Sequence, residues 1–380
     1  MVGQRANGEG SIYQRAADKR WIGAVTVGFD ANGRTKRKSV SGKTRAEASR
    51  KLRTLQQQLD EGLPAPDTQL SVGQLLDRWL QDVIRHQVTS STARNYQTIA
   101  NMHIKPILGK KKVASLTTSD VDRLLSRKID EGLSVSTVRR IRAVLSQALD
   151  QGIRWGGVVR NVASLSRSPK GVRQEGRSLT PDQARTLLNV LRGHRNEALY
   201  ALMLSTGLRR GEALGLQWRD FDADTGILTI KRALVREDGQ LITKDTKTLK
   251  SRRAINLPSP IITKLSAHRI EQKAQRLRLG KAWVNSGHIF TSSVGTPIDP
   301  RNLYREFGNI CREADLGDWH PHELRHSAAS LMLAQGVKLQ VVSEVLGHSS
   351  IRMTADVYGH VQAPDRQAAA DAMGALLWRD

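Results

Sequence analysis

Four short segments in the C-terminal half of the sequence carry residue types that bind anions and move protons. The first is Thr206-Gly207-Leu208-Arg209-Arg210-Gly211-Glu212. Gly207 breaks one helix and Arg209 opens the next. Glu212, three residues on, shares a face with Arg209 and can pair with and orient it. Arg210 points about 100° away on a helix and reads as a bystander or a backbone contact. The second segment runs from Lys247 through Lys250, Arg252 and Arg253 to Leu257-Pro258, a basic turn leading into a strand. A lysine at such a tip can reach a ligand and give or lose a proton, whereas Lys250, Arg252 and Arg253 read as a solvated basic hairpin. The third is His320-Pro321-His322-Glu323-Leu324-Arg325-His326, in which His322 and Arg325 share a helix face. The fourth is Leu346-Gly347-His348, followed by Thr354-Ala355-Asp356-Val357-Tyr358. Gly347 can end a helix in the left-handed conformation. That puts His348 at a helix junction and Tyr358 on the next short helix.

The elements that must position these residues can be read from the chain. Thr180-Pro181-Asp182 is an N-cap with proline at the first helical position. Helices are predicted over 184–191 and 196–205, then strands over 226–235, 241–243 and 253–257. Further helices are predicted over 260–278, 300–314, 321–334, 339–346 and 354–361. Upstream, residues 69–160 read as wholly helical, with apolar stripes Val72/Leu75/Leu76/Trp79/Leu80, Ile99/Met102/His103, Val121/Leu124/Leu125/Ile129 and Val138/Ile141/Val144/Leu145/Leu149. Ser71, Thr118 and Ser136 are the predicted caps. The fourth stripe is flanked by Arg139, Arg140 and Arg142. Near the N-terminus, Trp21–Phe29 alternates like a strand with Trp21, Val25 and Phe29 on one side. Arg34, Lys36 and Lys38 follow on a second strand and are predicted to face away from the apolar side. Thr44 and Glu47 then form a capping box. The expected fold class is multidomain and mainly α: a small β-sheet plus helix domain (1–62), an all-helical domain (68–165), and a mixed, mainly α domain with a small antiparallel sheet (178–380). The Ser-, Arg- and Gly-rich stretch 164–178 reads as a linker whose Arg173 and Arg177 could lie along a phosphate backbone.

Charge narrows the partner. The chain has 380 residues, a formal net charge of +24 and one cysteine, Cys311. Residues 1–62 alone hold 13 Lys and Arg against 6 Asp and Glu. Such an excess attracts a polyanion, and nucleic acid is the first choice because neutralising phosphates releases counterions. No run approaches the apolar length of a membrane span, so a membrane partner is not expected. The N-terminus has no signal-peptide pattern, and a lone cysteine suits a reducing cytoplasm. An aromatic share of 4% argues against base stacking on single strands as the main binding mode.

The four segments, in this order, resemble the tyrosine recombinase (phage integrase) family over about residues 178–362. The helical domain resembles that family's core-binding domain, and the first 60 residues resemble the arm-binding domain of integrases that bridge two classes of DNA site. By this resemblance Arg209 and Arg325 clamp the scissile phosphate, and Lys247 is the hairpin lysine. His322 and His348 are the two histidines, Tyr358 is the nucleophile and Glu212 supports Arg209. Leu249 and Asn256 stand where basic and proline residues are common in the family, which leaves Lys244 and Lys250 as rivals of Lys247. The chemistry is consistent. Two permanently charged, bidentate guanidiniums suit the charge of a phosphorane-like transition state. Tyr358 must lose its proton as it attacks, with His322 as base, and the departing 5′ oxygen needs a proton from Lys247. His348 hydrogen-bonds a phosphate oxygen. The product is a 3′-phosphotyrosine that keeps the bond energy for rejoining, so neither ATP nor a metal or other cofactor is required. The resemblance further implies double-stranded attachment-site DNA, a homotetramer on it, a tail helix after Pro364 that docks between protomers, and the option of an excisionase and a host DNA-bending protein. DNA contacts are expected from Arg34, Lys36, Lys38, Arg139, Arg142, Arg173 and Arg177.

Two rival readings use part of the same evidence. His322-Glu323-Leu324-Arg325-His326 matches the H-E-x-x-H zinc metalloprotease motif, with Glu344 as a conceivable third ligand. Against it, Arg325 sets a fixed cation beside a dication, and nothing in that reading uses Arg209, Lys247, His348 or Tyr358. A non-catalytic DNA-binding or architectural protein explains the charge but not the catalytic residue types. Tyr13, Tyr96, Tyr200 and Tyr304 read as packing residues, Trp218 as core, and Cys311 as an inert helix residue. His360, just past Tyr358, reads as a surface or phosphate contact.

Overall fold

In the computed structural model, which describes residues 10–29, 34–60, 69–171, 176–237, 239–245, 252–348, 350–358 and 373, the alternating stretch near the N-terminus is a three-stranded antiparallel sheet. Its strands are β1 (Ser11–Gln14), β2 (Trp21–Phe29) and β3 (Thr35–Gly42), and α1 (Arg45–Asp60) covers one face. Val25 packs there against Leu52 and Leu55, with Ile12, Val27 and Val40 around them. The register corrects one expectation. Val25 pairs with Lys38 and Gly23 with Val40, so Lys38 shares the helix-covered face with Val25 and Val40. The opposite face carries Arg37 (beside Thr26), the exposed Tyr13 and, paired with Tyr13, the buried Ile22. A bulge between Thr26 and Gly28 breaks the alternation that the sequence reading carried through to Phe29. The helix cap is shared: Thr44 Oγ1 accepts from the Glu47 amide at 3.2 Å, but Glu47 reaches back to the Lys43 amide rather than that of Thr44.

The helical stretch comprises α2 (Val72–Trp79), α3 (Arg85–Gln87), α4 (Ser90–Ile99), α5 (Lys105–Leu108), α6 (Thr118–Asp130), α7 (Val135–Arg154) and the short α8 (Val162–Leu165). Two π-helical turns, Leu80–Ile84 and Ala100–Ile104, join α2 to α3 and α4 to α5. They explain the main miss in this region. A π turn rotates the inward face, so Ala100 and Ile104 are buried beside Ile99 while Met102 is exposed. Ile129 is likewise exposed, and the buried Lys128, paired with Glu131 at 2.6 Å, takes the inward place. Ser71 caps α2 as expected, in a capping box with Gln74, but α6 and α7 are capped by Thr117 and Ser134, one and two residues before the predicted caps. The remaining stripe residues of α2, α6 and α7 form one core. Arg142 is half-buried on α7: its guanidinium bonds Ser166 Oγ (3.0 Å), Ser164 O (2.8 Å) and Ser166 O (2.9 Å). It fastens α7 to the chain that follows, so its reading as a phosphate contact gives way to a structural one. Arg139 is exposed, with Nε on Pro169 O.

The chain divides into two compact units, Met1–Val172 and Arg173–Asp380, with the division inside the expected linker. In the second unit α9 (Pro181–Val190) and α10 (Glu197–Thr206) lead to α11 (Arg210–Leu214). Ala198–Leu204 of α10 are buried without a break, which marks it as the central helix. The predicted strand 226–235 is two strands, β4 (Ile227–Ile230) and β5 (Arg232–Glu237). β4 pairs with β7 (Arg253–Asn256), and β5 forms a hairpin with β6 (Gln240–Asp245), so there are two small sheets rather than one. Helices α12 (Ser259–Leu279), α13 (Pro300–Glu313), α14 (Pro321–Ala334), α15 (Leu339–Leu346) and α16 (Ile351–Tyr358) complete the described part. Tyr200 is fully buried and Tyr96 stacks on Trp79, as packing residues do. Tyr13 and Tyr304 are exposed instead, the latter stacked on His320. Trp218 is half-buried at the core edge, its Nε1 donating to Gln272. Cys311 is buried, which pushes its thiol up to about 12 and leaves it inert. No helix among the described residues is long and apolar enough to cross a membrane.

Candidate active site

All four sequence segments contribute to one junction, the second through Arg253. α10 ends at Gly207 with φ 65°. A side chain there would also collide with Leu346, so glycine is needed twice over. The turn places Arg209 as the residue that opens α11. Its backbone amide and Nη1 both donate to Glu212, at 3.1 and 2.7 Å, and Nη2 donates to Gly347 O at 3.2 Å. Arg325, on α14, is 4% exposed and donates through Nη1 to Gly207 O and Leu346 O, both at 2.8 Å. The two arginines therefore hold successive carbonyls at the end of α15, and Arg325 also holds the turn that presents Arg209. Gly347 ends α15 with φ 67°, and a Cβ there would lie 2.7 Å from the Arg253 guanidinium.

Arg253 is the residue that sequence reading misplaced. It is not part of a solvated hairpin. Its side chain is 8% exposed, Nη2 pairs with Glu212 Oε2 at 2.9 Å and Nε donates to Val345 O at 2.7 Å. The signal was present: Arg253 lies two residues before the buried Ile255 on one strand, and so shares its inward face. Glu212 is thus a buried carboxylate between two guanidiniums. Burial pushes its pKa up, but Arg253 and Arg209 outweigh that and hold it below the ordinary value.

The histidines are tuned towards neutrality. Burial, then the guanidiniums of Arg325, Arg209 and Arg253, push His348 down to about 4 from an ordinary 6.5. Its Nδ1 lies 2.7 Å from Oγ1 of the buried Thr354 on α16, which ties the two sides of the junction together. His322 stands on the first turn of α14, where desolvation, then His326, Arg325, Arg209 and Arg210, lower its pKa. A neutral imidazole is the form that accepts a proton. A stability consequence follows. The unfolded chain protonates His348 near its ordinary value, while the folded chain resists down to about pH 4. Stability is fully present above pH 6.5 and falls as pH drops from 6.5 to 4. Urea unfolding of His348→Gln should show a shallower acid decline across that window than the unaltered chain. An unchanged slope would mean that His348 is not held neutral.

Of the other expected site residues, Lys247 and Lys250 lie outside the described residues, as do Arg173 and His360. Lys244 is on β6 and pairs with Glu237 at 2.5 Å. α16 ends at Tyr358, whose side chain is outside the described residues, as is the tail apart from Met373; Lys36 is described by its backbone alone. Arg177 is committed to its own unit, where it pairs with Glu323 at 2.9 Å and lies over Trp319. That corrects its reading as a phosphate contact. The same pair bears on the H-E-x-x-H match. Glu323 accepts from Arg177 and from the His320 amide at 2.7 Å, while Glu344 is exposed and bonded to Gln340. Among the described residues no three His, Cys, Asp or Glu side chains cluster as metal ligands do.

The chain resembles known proteins along most of its length. Residues 177–364 match the phage integrase family, and residues 71–129 match the phage integrase N-terminal SAM-like domain. An integrase of Streptomyces ambofaciens is 32% identical over 100% of this chain and 99% of its own length. A XerC-like tyrosine recombinase of Caldanaerobacter subterraneus subsp. tengcongensis is 29% identical over 93% of this chain and 95% of its own. Among solved structures, the Tn1549 transposon integrase in complex with transposon right end DNA aligns with a TM-score of 0.69 at 21% identity, covering 82% of this chain and 100% of that one.

Proposed function

The chain belongs to the phage integrase family, and we propose from that premise that it cuts and rejoins DNA with Tyr358 as its covalent nucleophile. It is a tyrosine site-specific recombinase, an integrase. The observation that supports the residue assignment is the interlock of Arg209 and Arg325 around Gly207 and Leu346–Gly347, with His348 next in the chain and tied to Thr354. An arginine clamp built on backbone carbonyls is preorganised, which is what stabilising charge on a transferring phosphoryl group requires. In the reaction, the Tyr358 oxygen bonds to phosphorus as the bond to the 5′ oxygen breaks. His322 takes the phenolic proton, Lys247 protonates the leaving oxygen, and His348 donates to a non-bridging oxygen. The 3′-phosphotyrosine then reacts with a 5′ hydroxyl by the same path in reverse.

The partner in this reading is double-stranded attachment-site DNA. Residues 1–62 bind arm-type sites, with Arg34 and Lys36 among the basic contacts. Residues 68–165 bind core sites, with Arg139 on the exposed flank of α7, and residues 178–380 perform catalysis, with Arg173 along the linker. The working form is a homotetramer, with an excisionase and a host DNA-bending protein as accessory factors. The DNA substrate puts the protein in the cytoplasm, at the nucleoid. Because the phosphotyrosine conserves the bond energy, no cofactor is needed. Incubation with a duplex spanning the junction of the element and its flanking DNA, in excess EDTA, should give a covalent adduct in full yield. Loss of adduct, with recovery on adding zinc, would overturn the mechanism.

A further inference from the structure

The segment that leads into the second unit lies along α14. Arg177 grips Glu323 with two nitrogens, at 2.9 and 3.2 Å. The Leu179 amide donates to Ser327 Oγ at 2.8 Å, and that hydroxyl donates to Glu323 O. Next to these anchors, Gly176 sits on the face of the His326 imidazole. A Cβ on Gly176 would lie 3.0 Å from Nδ1 and 3.1 Å from both Cε1 and Cγ. Such even distances to three ring atoms mean approach to the face, and any side chain at 176 would push the ring. The His326 ring in turn meets that of His322 in a T-shaped pair, with centroids 5.2 Å apart and planes at 88°.

We propose that His326 is a positioning residue that fixes the ring of His322, and that Gly176 seats His326 for this task. The inference rests on the reading of His322 as the base. A histidine on the first turn of a helix has few neighbours to choose its rotamer, and a base must stand within hydrogen-bond reach of its proton. An edge-to-face partner one helical turn away supplies the missing constraint. Gly176 is suited to the task because its φ is outside the left-handed range, so its lack of a side chain serves contact rather than backbone freedom. Among the described residues, His326 and Arg325 on α14, with Arg209 and Arg210 at α11, are charged or titratable groups that act on His322. Each lowers its pKa, so removing His326 should raise it.

The test is the pH profile of single-turnover adduct formation on a nicked attachment-junction duplex. His326→Ala should slow the reaction on the order of 10-fold near neutral pH and move the acid limb to higher pH, with DNA affinity unchanged. His326→Phe, which keeps a ring, should recover most of the rate. Gly176→Ala should slow the parent protein but add nothing in the His326→Ala background, where the ring it would strike is gone. A parent-like profile for His326→Ala overturns the proposal, as do equal losses for Ala and Phe with an additive Gly176→Ala. If His326→Ala does not fold, Gly176→Ala in the parent decides, because it removes no contact. His322→Ala separates the two readings: if it leaves the rate and acid limb intact, the base assignment has failed. If it abolishes both while the position 326 variants behave like the parent, only the positioning role has failed.

Discussion

Tyr358→Phe is expected to bind attachment-site DNA as tightly as the unaltered chain and to form no covalent adduct. The substitution removes one oxygen and keeps the ring at the end of α16, so the packing of that helix against α14 and α15 has no reason to change. The chemistry has nothing to replace that oxygen. The other tyrosines are spoken for: Tyr200 is buried with its hydroxyl on Leu303 O, and burial raises its pKa far above the ordinary value. Tyr96 is stacked on Trp79 and Tyr13 lies on the N-terminal sheet, both in the first unit. Tyr304 bonds His320 at 3.1 Å and is the proper control, since it is an exposed tyrosine beside a histidine. Tyr304→Phe should leave adduct formation unchanged. Loss of a nucleophile lowers the rate by roughly 10⁴-fold or more, so a denaturing gel should show no protein–DNA band at times when the parent has reacted fully. A mobility shift on the same duplex reads binding. An adduct that survives Tyr358→Phe would move the nucleophile elsewhere. Loss of the shift as well would leave an architectural role open.

How much of this was legible depends on whether a feature is local. Gly207 and Gly347 announced helix ends, and both helices do end there in left-handed turns. The Arg209–Glu212 pair follows from three-residue spacing at a helix start, and it forms at 2.7 Å. Non-local contacts were invisible. Arg253 looked like one more cation in a basic run, because its partners Glu212 and Val345 lie 41 and 92 residues away. Arg177 looked like a linker charge for the same reason, with Glu323 146 residues on. Where the helix period itself changed, as in the π turn Ala100–Ile104, a 3.6-residue rule assigned the wrong side chains to the core. Catalytic types in order therefore identify the chemistry, while the residues that hold them in place need the fold.

Glu212→Ala is the second large effect, and part of it acts through Arg253, one of those hidden residues. The carboxylate is 3% exposed and accepts three hydrogen bonds, from the Arg209 amide, Arg209 Nη1 and Arg253 Nη2. Removing it takes the Glu212 carboxylate away from the nearly buried Arg253 guanidinium, which then faces a second cation, Arg209, with that shared anion gone. Breaking one side of a buried pair typically costs about 3–5 kcal/mol, a large fraction of the ~5–15 kcal/mol that holds a domain together. The chemical loss should exceed the structural one, because Arg209 loses the partner that aims it while Gly347 O still holds Nη2. Glu212→Gln keeps an acceptor but turns an amide donor towards a guanidinium, so it should fall between the two. The coupling can be isolated with Arg253→Met, which removes the cation that Glu212 neutralises. The double variant Glu212→Ala/Arg253→Met no longer carries the buried cation that the Glu212 carboxylate had neutralised, so its urea midpoint should lie above that of Glu212→Ala alone. Adduct formation should not recover with it, since Arg209 remains unaimed. A double variant that regains both stability and cleavage would mean that Glu212 serves folding only, and that Arg209 finds the phosphate without it.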